Sequence, residues 1–241
     1  MRTGVVLPTF RHAVDETLAV VDAAEAAGVD GVFCYDHLWP LGEPERPAIA
    51  PFPLLGAVAA RSERLWLGPL VARVGLVPDE VLLAEFEALA ALAPGRVIAA
   101  LGTGDRLSAP ENEAFGVPFA PAAERRDALA HCVRALRRRG LPVWVGGGAR
   151  LTVAIAEAEG AAVNLWGATP DAVALQAEHS EVTWGGPAPE PAAGMPGAEV
   201  ALAALVPELA EAGATWAVFG WPVPLDALVA AAATATRHRR Q

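Results

Sequence analysis

Four short groups of residues in this 241-residue chain combine side chains that can do chemistry. Asp36 and His37 close an apolar run, and an imidazole beside a carboxylate is a common pairing for moving a proton near neutral pH. Gly102, Thr103, Gly104 and Asp105 offer backbone that a planar ligand can approach closely, with a hydroxyl and a carboxylate beside it. Gly146, Gly147 and Gly148 stand between an apolar run and a helical pattern, where free amide N–H groups and the positive end of a helix dipole can hold a phosphate. Asn164 with Trp166 makes the fourth group. Each group also has a plainer reading, with Asp36 as a loop anchor, His37 as an exposed polar residue and the glycines as tight turns. Alternation along an extended backbone sends Asp36 and His37 to opposite sides, which speaks against one metal ion shared between them, and no metal site is expected.

The elements that must position these groups read as alternating strands and helices. Apolar runs at Gly4–Leu7, Gly31–Tyr35, Leu65–Val71, Val97–Leu101, Pro142–Val145, Ala162–Leu165, Glu181–Trp184 and Trp216–Phe219 read as strands. Between them, segments of helical period run over Val14–Ala27, Leu54–Ala60, Val81–Leu92, Ala122–Arg139, Leu151–Glu159 and Val200–Ala212, with Thr169 and Pro170 as an N-cap and first-turn pair and an Ala-rich helix at the end. Gly28, Gly140, Gly160 and Gly213 fall where helices stop. The segment from Gly102 to Ala122 reads as a loop, and Gly185–Gly197 as the stretch most prone to disorder. Eight such units in about 250 residues predict an α/β fold, a (β/α)8 TIM barrel forming one domain over residues 1–241. All four groups then converge on the mouth at the C-terminal ends of the strands, the face where such barrels keep their chemistry.

Composition narrows the chemistry. The chain has no lysine, so all 18 basic residues are arginine, which excludes Schiff-base enzymes and the Gly-Lys phosphate loop. Its three serines, Ser62, Ser108 and Ser180, lie in no G-x-S-x-G turn. A net charge of -10 argues against nucleic acid as a partner. No apolar stretch approaches the roughly 18 residues of a membrane helix, so a soluble, cytoplasmic protein with Cys34 and Cys132 reduced in its core is expected.

Read together, AEAAGVDGVFCYDHLWP, ERLWLGPLV, LAALAPGRVIAALGTGD, ENEAFGVPF and PVWVGGGA resemble the luciferase-like monooxygenase superfamily, in its branch that uses the deazaflavin coenzyme F420. The resemblance implies a barrel with shortened insertions that passes a hydride between cofactor and a small-molecule substrate, with flavin mononucleotide (FMN) as the alternative cofactor and a non-catalytic flavin-binding barrel as the alternative role. It implies His37 as the group acting on the substrate hydroxyl, Asp36 orienting its loop, Asp105 serving a ring nitrogen as acid, and Gly146–Gly148 holding phosphate. Gly102, Thr103 and Gly104 would lie against the cofactor. Leu70 and Val71 would back its ring across a non-proline cis peptide. The family pattern more often has glutamate at the place of Asp105 and tryptophan at that of Leu41, and an insertion where Arg139 here runs almost directly into Pro142. A homodimer is expected, because Val81, Leu82, Leu83, Phe86, Leu89, Ala90 and Leu92 cover more than the single stripe one barrel helix must bury.

Overall fold

The computed structural model describes residues 1–189 and 197–238. Its elements run β1 (Arg2–Val6), α1 (Val14–Ala27), β2 (Gly31–Cys34), α2 (Pro51–Arg61), β3 (Trp66–Pro69), β4 (Ala72–Arg73), α3 (Asp79–Leu92) and β5 (Ala99–Gly102). A 3-10 turn (Arg106–Ser108) leads into α4 (Ala109–Ala114), followed by α5 (Ala122–Arg138), β6 (Val143–Gly146), α6 (Arg150–Glu159), β7 (Ala162–Trp166) and α7 (Pro170–Ala177). The chain then continues through β8 (Val182–Gly186), α8 (Ala198–Glu211), β9 (Ala214–Gly220) and α9 (Leu225–His238).

All pairings are parallel, in the order β3-β2-β1-β9-β8-β7-β6-β5-β4. The ring closes where Leu67 of β3 bridges Val97, with Ile98 N–H donating to Leu67 C=O at 3.0 Å, and where β4 pairs with β5. β3 and β4 are therefore two halves of the third strand of an eight-unit barrel. The single run expected over Leu65–Val71 keeps its bonds to β2 as far as Leu70, whose N–H donates to the Cys34 carbonyl at 2.8 Å, but Pro69 has no N–H to offer the β5 side, and pairing with β5 resumes at Ala72. The peptide between Leu70 and Val71 is cis, as the resemblance implied, and so is that between Trp221 and Pro222.

Alternation along the strands builds two cores. Val6, Phe33, Ile98, Ala100, Trp144, Trp216 and Val218 fill the barrel interior, with Phe33 stacked on Trp144 at 5.3 Å between centroids. The residues between them, Val5, Val32, Leu67, Leu101, Val145 and Val163, face the helices and pack in one cluster with Val21, Leu55, Phe86 and Leu129. Cys34 and Cys132 are free and buried, with burial pushing both thiols up, Cys132 to about 12. Thr169 caps α7 as its side chain accepts from Ala172 N–H, and Gly28 and Gly160 close α1 and α6 in the left-handed conformation.

Two expectations are corrected. The Gly102–Ala122 segment is not only loop: α4 escapes a periodicity reading because it has six residues and its buried side is polar, Glu111 and Asn112. β8 extends through Gly185 and Gly186, while residues 190–196 of the stretch expected to be disorder-prone lie outside the described residues. The apolar excess expected on α3 is present: Leu82, Leu83, Phe86 and Leu89 are buried against the barrel, whereas Val81 and Leu92 are exposed. No helix among the described residues is long and apolar enough to cross a membrane.

Candidate functional site

The C-terminal ends of β2, β4, β5 and β6 surround a cavity of about 380 Å³. Asp36 and His37 reach it from the loop after β2, Val71 and Arg73 from the broken third strand, and Gly102, Thr103, Gly104 and Asp105 from the end of β5. Gly146, Gly147 and Gly148 close the opposite wall, with Thr152 of α6 behind them. Asp36 and His37 line this cavity together, contrary to the alternation argument, because β2 stops at Cys34 and the residues beyond it are no longer extended strand.

A buried polar network fixes the His37 side of the cavity. Glu111, fully buried on α4, places Oε1 3.0 Å from His37 Nδ1 and Oε2 2.7 Å from Arg73 Nη2. Against an ionised carboxylate Nδ1 carries the proton and donates, which leaves Nε2 as the imidazole's free lone pair. Arg73 then staples the loop after β2. Its backbone N–H donates to Asp36 Oδ2 at 2.8 Å and its Nε–H to the Asp36 carbonyl at 3.1 Å, while Nη1 reaches Asn112 Oδ1 at 3.4 Å. Burial raises the Asp36 carboxyl above its ordinary value, opposed by the Arg73 N–H, the Arg73 charge and His37, and reinforced by Glu111.

The glycines of the mouth do two different jobs. A Cβ on Gly102 would stand 2.5 Å from Val71 Cγ2, and one on Gly146 would stand 2.8 Å from Val71 Cγ1, so these two glycines make room for Val71. Gly147 instead adopts φ +110 with nothing within 4 Å of where its Cβ would be, and it opens onto the cavity. Its N–H is bonded to the Asn164 carbonyl, which ties the turn to β7. No side chain caps α6, and although Thr152 N–H is taken by the Ala149 carbonyl at 2.8 Å, the start of the helix, with Ala149 and Thr152, lines the cavity with its dipole. At the other end, Arg125 Nη1 donates to the Thr103 and Gly104 carbonyls at 2.6 and 2.9 Å and holds that loop. Asp105 is exposed and accepts from Leu107 N–H through Oδ1 at 2.8 Å.

Not every expected residue arrives. Leu70 is 5% exposed and packs into the barrel interior with Phe33 and Ile98, so its side chain does not line the cavity, although Val71 does. Asn164 is buried and donates to Thr183 Oγ1, and Trp166 stands edge-on to Tyr35, also off this cavity. Arg73 and Glu111 are the participants that reading the sequence missed. The signal for Arg73 was a charge inside the apolar run PLVARVGLV, and for Glu111 an acid in PENEAFG, a helix too short to show a period. A second cavity, of about 500 Å³, shares Asp36, His37 and Arg73 with the first. No group of three or more His, Cys, Asp or Glu suited to a metal ion occurs among the described residues.

The chain is similar to known proteins in sequence and in fold. A family model described as luciferase-like monooxygenase matches residues 1–140. The F420-dependent glucose-6-phosphate dehydrogenase of Beutenbergia cavernae is 38% identical over 136 residues, 54% of this chain and 39% of that protein. The F420-dependent hydroxymycolic acid dehydrogenase of Mycobacterium tuberculosis is 31% identical over 144 residues, 59% of this chain and 38% of that one. These matches therefore span about two fifths of the length of the curated relatives. Among solved structures, an F420-dependent secondary alcohol dehydrogenase in complex with an F420-acetone adduct superposes with a TM-score of 0.73 at 15% identity, covering 96% of this chain and 98% of that one. The coenzyme F420-dependent tetrahydromethanopterin reductase of Methanopyrus kandleri superposes at 0.69 with 13% identity, covering 97% of each. At such identities the likeness shows the barrel fold.

Proposed function

The chain belongs to the luciferase-like monooxygenase family, and from that premise we propose that it is an oxidoreductase passing a hydride between coenzyme F420 and a small organic substrate. The observation that carries this reading is His37, held at Nδ1 by buried Glu111 on the wall of the same cavity into which the Gly146–Gly148 turn opens. The residues present fit such a cofactor. The uncapped start of α6 and the open face of Gly147 suit the phosphate, and Val71, Gly102 and Thr103 border the space for the ring. Bound there, F420 supplies a ring carbon that takes up or releases hydride.

The protein's own part is proton handling and positioning. His37 Nε2 accepts the substrate's hydroxyl proton during oxidation and returns it during reduction. Glu111 fixes the tautomer and balances the imidazolium that forms, and Arg73 holds both Glu111 and the Asp36 loop in place. Asp105 has Oδ1 engaged by Leu107, so Oδ2 is the atom that would serve a ring nitrogen.

The relatives support the cofactor more than the substrate, since their names share F420 but differ between glucose 6-phosphate and a hydroxymycolic acid. We further propose a single-domain, cytoplasmic homodimer. Val81, Ala84, Ala88 and Leu92 form an exposed apolar stripe along α3, and Pro53, Ala57 and Ala60 are exposed on the neighbouring α2. Titration with F420 and with FMN, followed by absorbance and fluorescence, tests the reading. Saturable F420 binding is expected, whereas FMN binding alone would move the chain to flavin chemistry, and binding of neither would leave the barrel without this function.

A further inference from the structure

The second cavity is bounded by the N-terminal ends of α2 and α3 and by the chain after α4. Its walls are largely apolar, with Pro51, Phe52, Leu76, Val77, Leu82 and Val117 among them. Asp36, His37 and Arg73 belong to both cavities, so the reactive imidazole stands where the two meet.

The charges at this cavity are lopsided. Asp36 and Glu85 bring two carboxyls to its lining, and Arg73 is the one permanent cation among the lining residues. That guanidinium is 5% exposed and already committed, to Glu111 at 2.7 Å through Nη2 and to the Asp36 carbonyl at 3.1 Å through Nε. Burial, with the nearby charge of Asp36, raises the Glu85 carboxyl, as expected where negative charge is poorly compensated. The chain has no lysine to supply another cation. A phosphate ester entering here would lose its hydration, meet acidic groups and find no free positive partner. An uncharged apolar body would bury its surface without that cost.

We propose that the second cavity holds the apolar body of an uncharged substrate, a carbinol or its carbonyl counterpart, with the reacting carbon reaching the first cavity beside His37. The chemistry rests on the F420 reading above. In oxidation the O–H bond breaks and its proton goes to His37 Nε2, while the O–H pair becomes the carbonyl π bond. The C–H bond breaks with both electrons leaving as hydride to the oxidised deazaflavin, which is thereby reduced; carbonyl reduction is the reverse.

The test separates this substrate class from the cofactor. The neutral dye Nile red is titrated into the cofactor-free protein, then competed with 2-octanol and, separately, with glucose 6-phosphate. Two cavity-filling variants, Val77→Phe and Val117→Phe, are carried in parallel, each checked for folding by circular dichroism and for F420 binding by fluorescence. Saturable dye binding, displaced by the alcohol and not by the phosphate ester, is expected, with affinity weakened on the order of tenfold in a folded filling variant. F420 binding should be unchanged in both variants. Displacement by glucose 6-phosphate at lower concentration than the alcohol, or dye affinity unchanged in the folded filling variants, overturns the proposal. Failure of F420 to bind counts instead against the cofactor assignment, and the dye titration still decides whether the cavity takes apolar ligands.

Discussion

Glu111 Oε1 lies 3.0 Å from His37 Nδ1 across a sequence separation of 74 residues, and the same carboxylate holds Arg73 through its other oxygen. A helix of six residues thus orients the imidazole and neutralises a buried guanidinium at once. Replacing His37 by Ala should lower kcat by roughly 10²- to 10⁴-fold, the usual contribution of a positioned acid-base group, with the F420 Kd little changed. Steady-state kinetics beside a fluorescence titration checks this. Equal losses in turnover and affinity would make His37 a binding residue instead.

Removing the carboxylate has a structural cost as well. In Glu111→Ala the Arg73 guanidinium loses its ion-pair partner inside the protein, a change that typically costs about 3–5 kcal/mol. Urea denaturation should show that loss. A Glu111→Gln variant, which keeps the shape, should lose less stability and still lower kcat by failing to balance the imidazolium. Wild-type turnover in Glu111→Gln would show that the carboxylate's charge is not needed.

Val71 occupies the space that side chains at two glycines would need. Gly102→Ala would place a Cβ 2.5 Å from Val71 Cγ2, and overpacking of this kind costs about 1–3 kcal/mol. The double variant Gly102→Ala with Val71→Ala should recover part of the loss, giving a coupling energy in a double-mutant cycle. Strict additivity would mean that the two residues do not compete for this space.

Gly147 sits at φ +110, where an L-residue carries strain of about 1–2 kcal/mol. Gly147→Ala should therefore weaken F420 binding by disturbing the turn before α6, while leaving the barrel folded. Titration of the variant with F420, together with far-UV circular dichroism, measures both effects. Unaltered affinity would place the phosphate elsewhere.

Asp36 makes stability depend on pH in the less common direction for a carboxylate. Burial raises its folded-state value above 3.8, so over that window the folded protein holds a proton that the unfolded chain has released. The contribution is full below 3.8 and is lost as pH climbs through the raised value. Asp36→Asn keeps an acceptor for the Arg73 N–H and should flatten this part of the curve in urea midpoints measured across the acid range. An unchanged slope would assign the dependence to other groups.

The apolar stripe on α3 bears on association. Light scattering of the wild-type protein should give a dimer, and Ala88→Glu, which sets a charge in the middle of the stripe, should give a monomer with the barrel's circular dichroism intact. A wild-type monomer across a wide concentration range would reject the interface.

The order of strands and helices, the glycine-closed helices and the convergence of Asp36, His37, Gly102 and Gly146–Gly148 on one mouth were legible in the sequence, because periodicity and helix-end chemistry are local properties of consecutive residues. So were the excluded chemistries, since a chain without lysine cannot form a lysine Schiff base. What only the folded chain decided is the partnership of residues far apart in sequence. Arg73 showed locally only as a charge in an apolar run and Glu111 only as an acid in a short polar segment, and their roles come from meeting each other and His37 after β4 and α4 are brought side by side. Leu70 and Val71 are neighbours with different fates, one in the barrel interior and the other in the cavity, because the third strand breaks between β3 and β4. Alternation likewise failed for Asp36 and His37, since a period of two holds only while the backbone stays in the sheet, and β2 leaves it at Cys34.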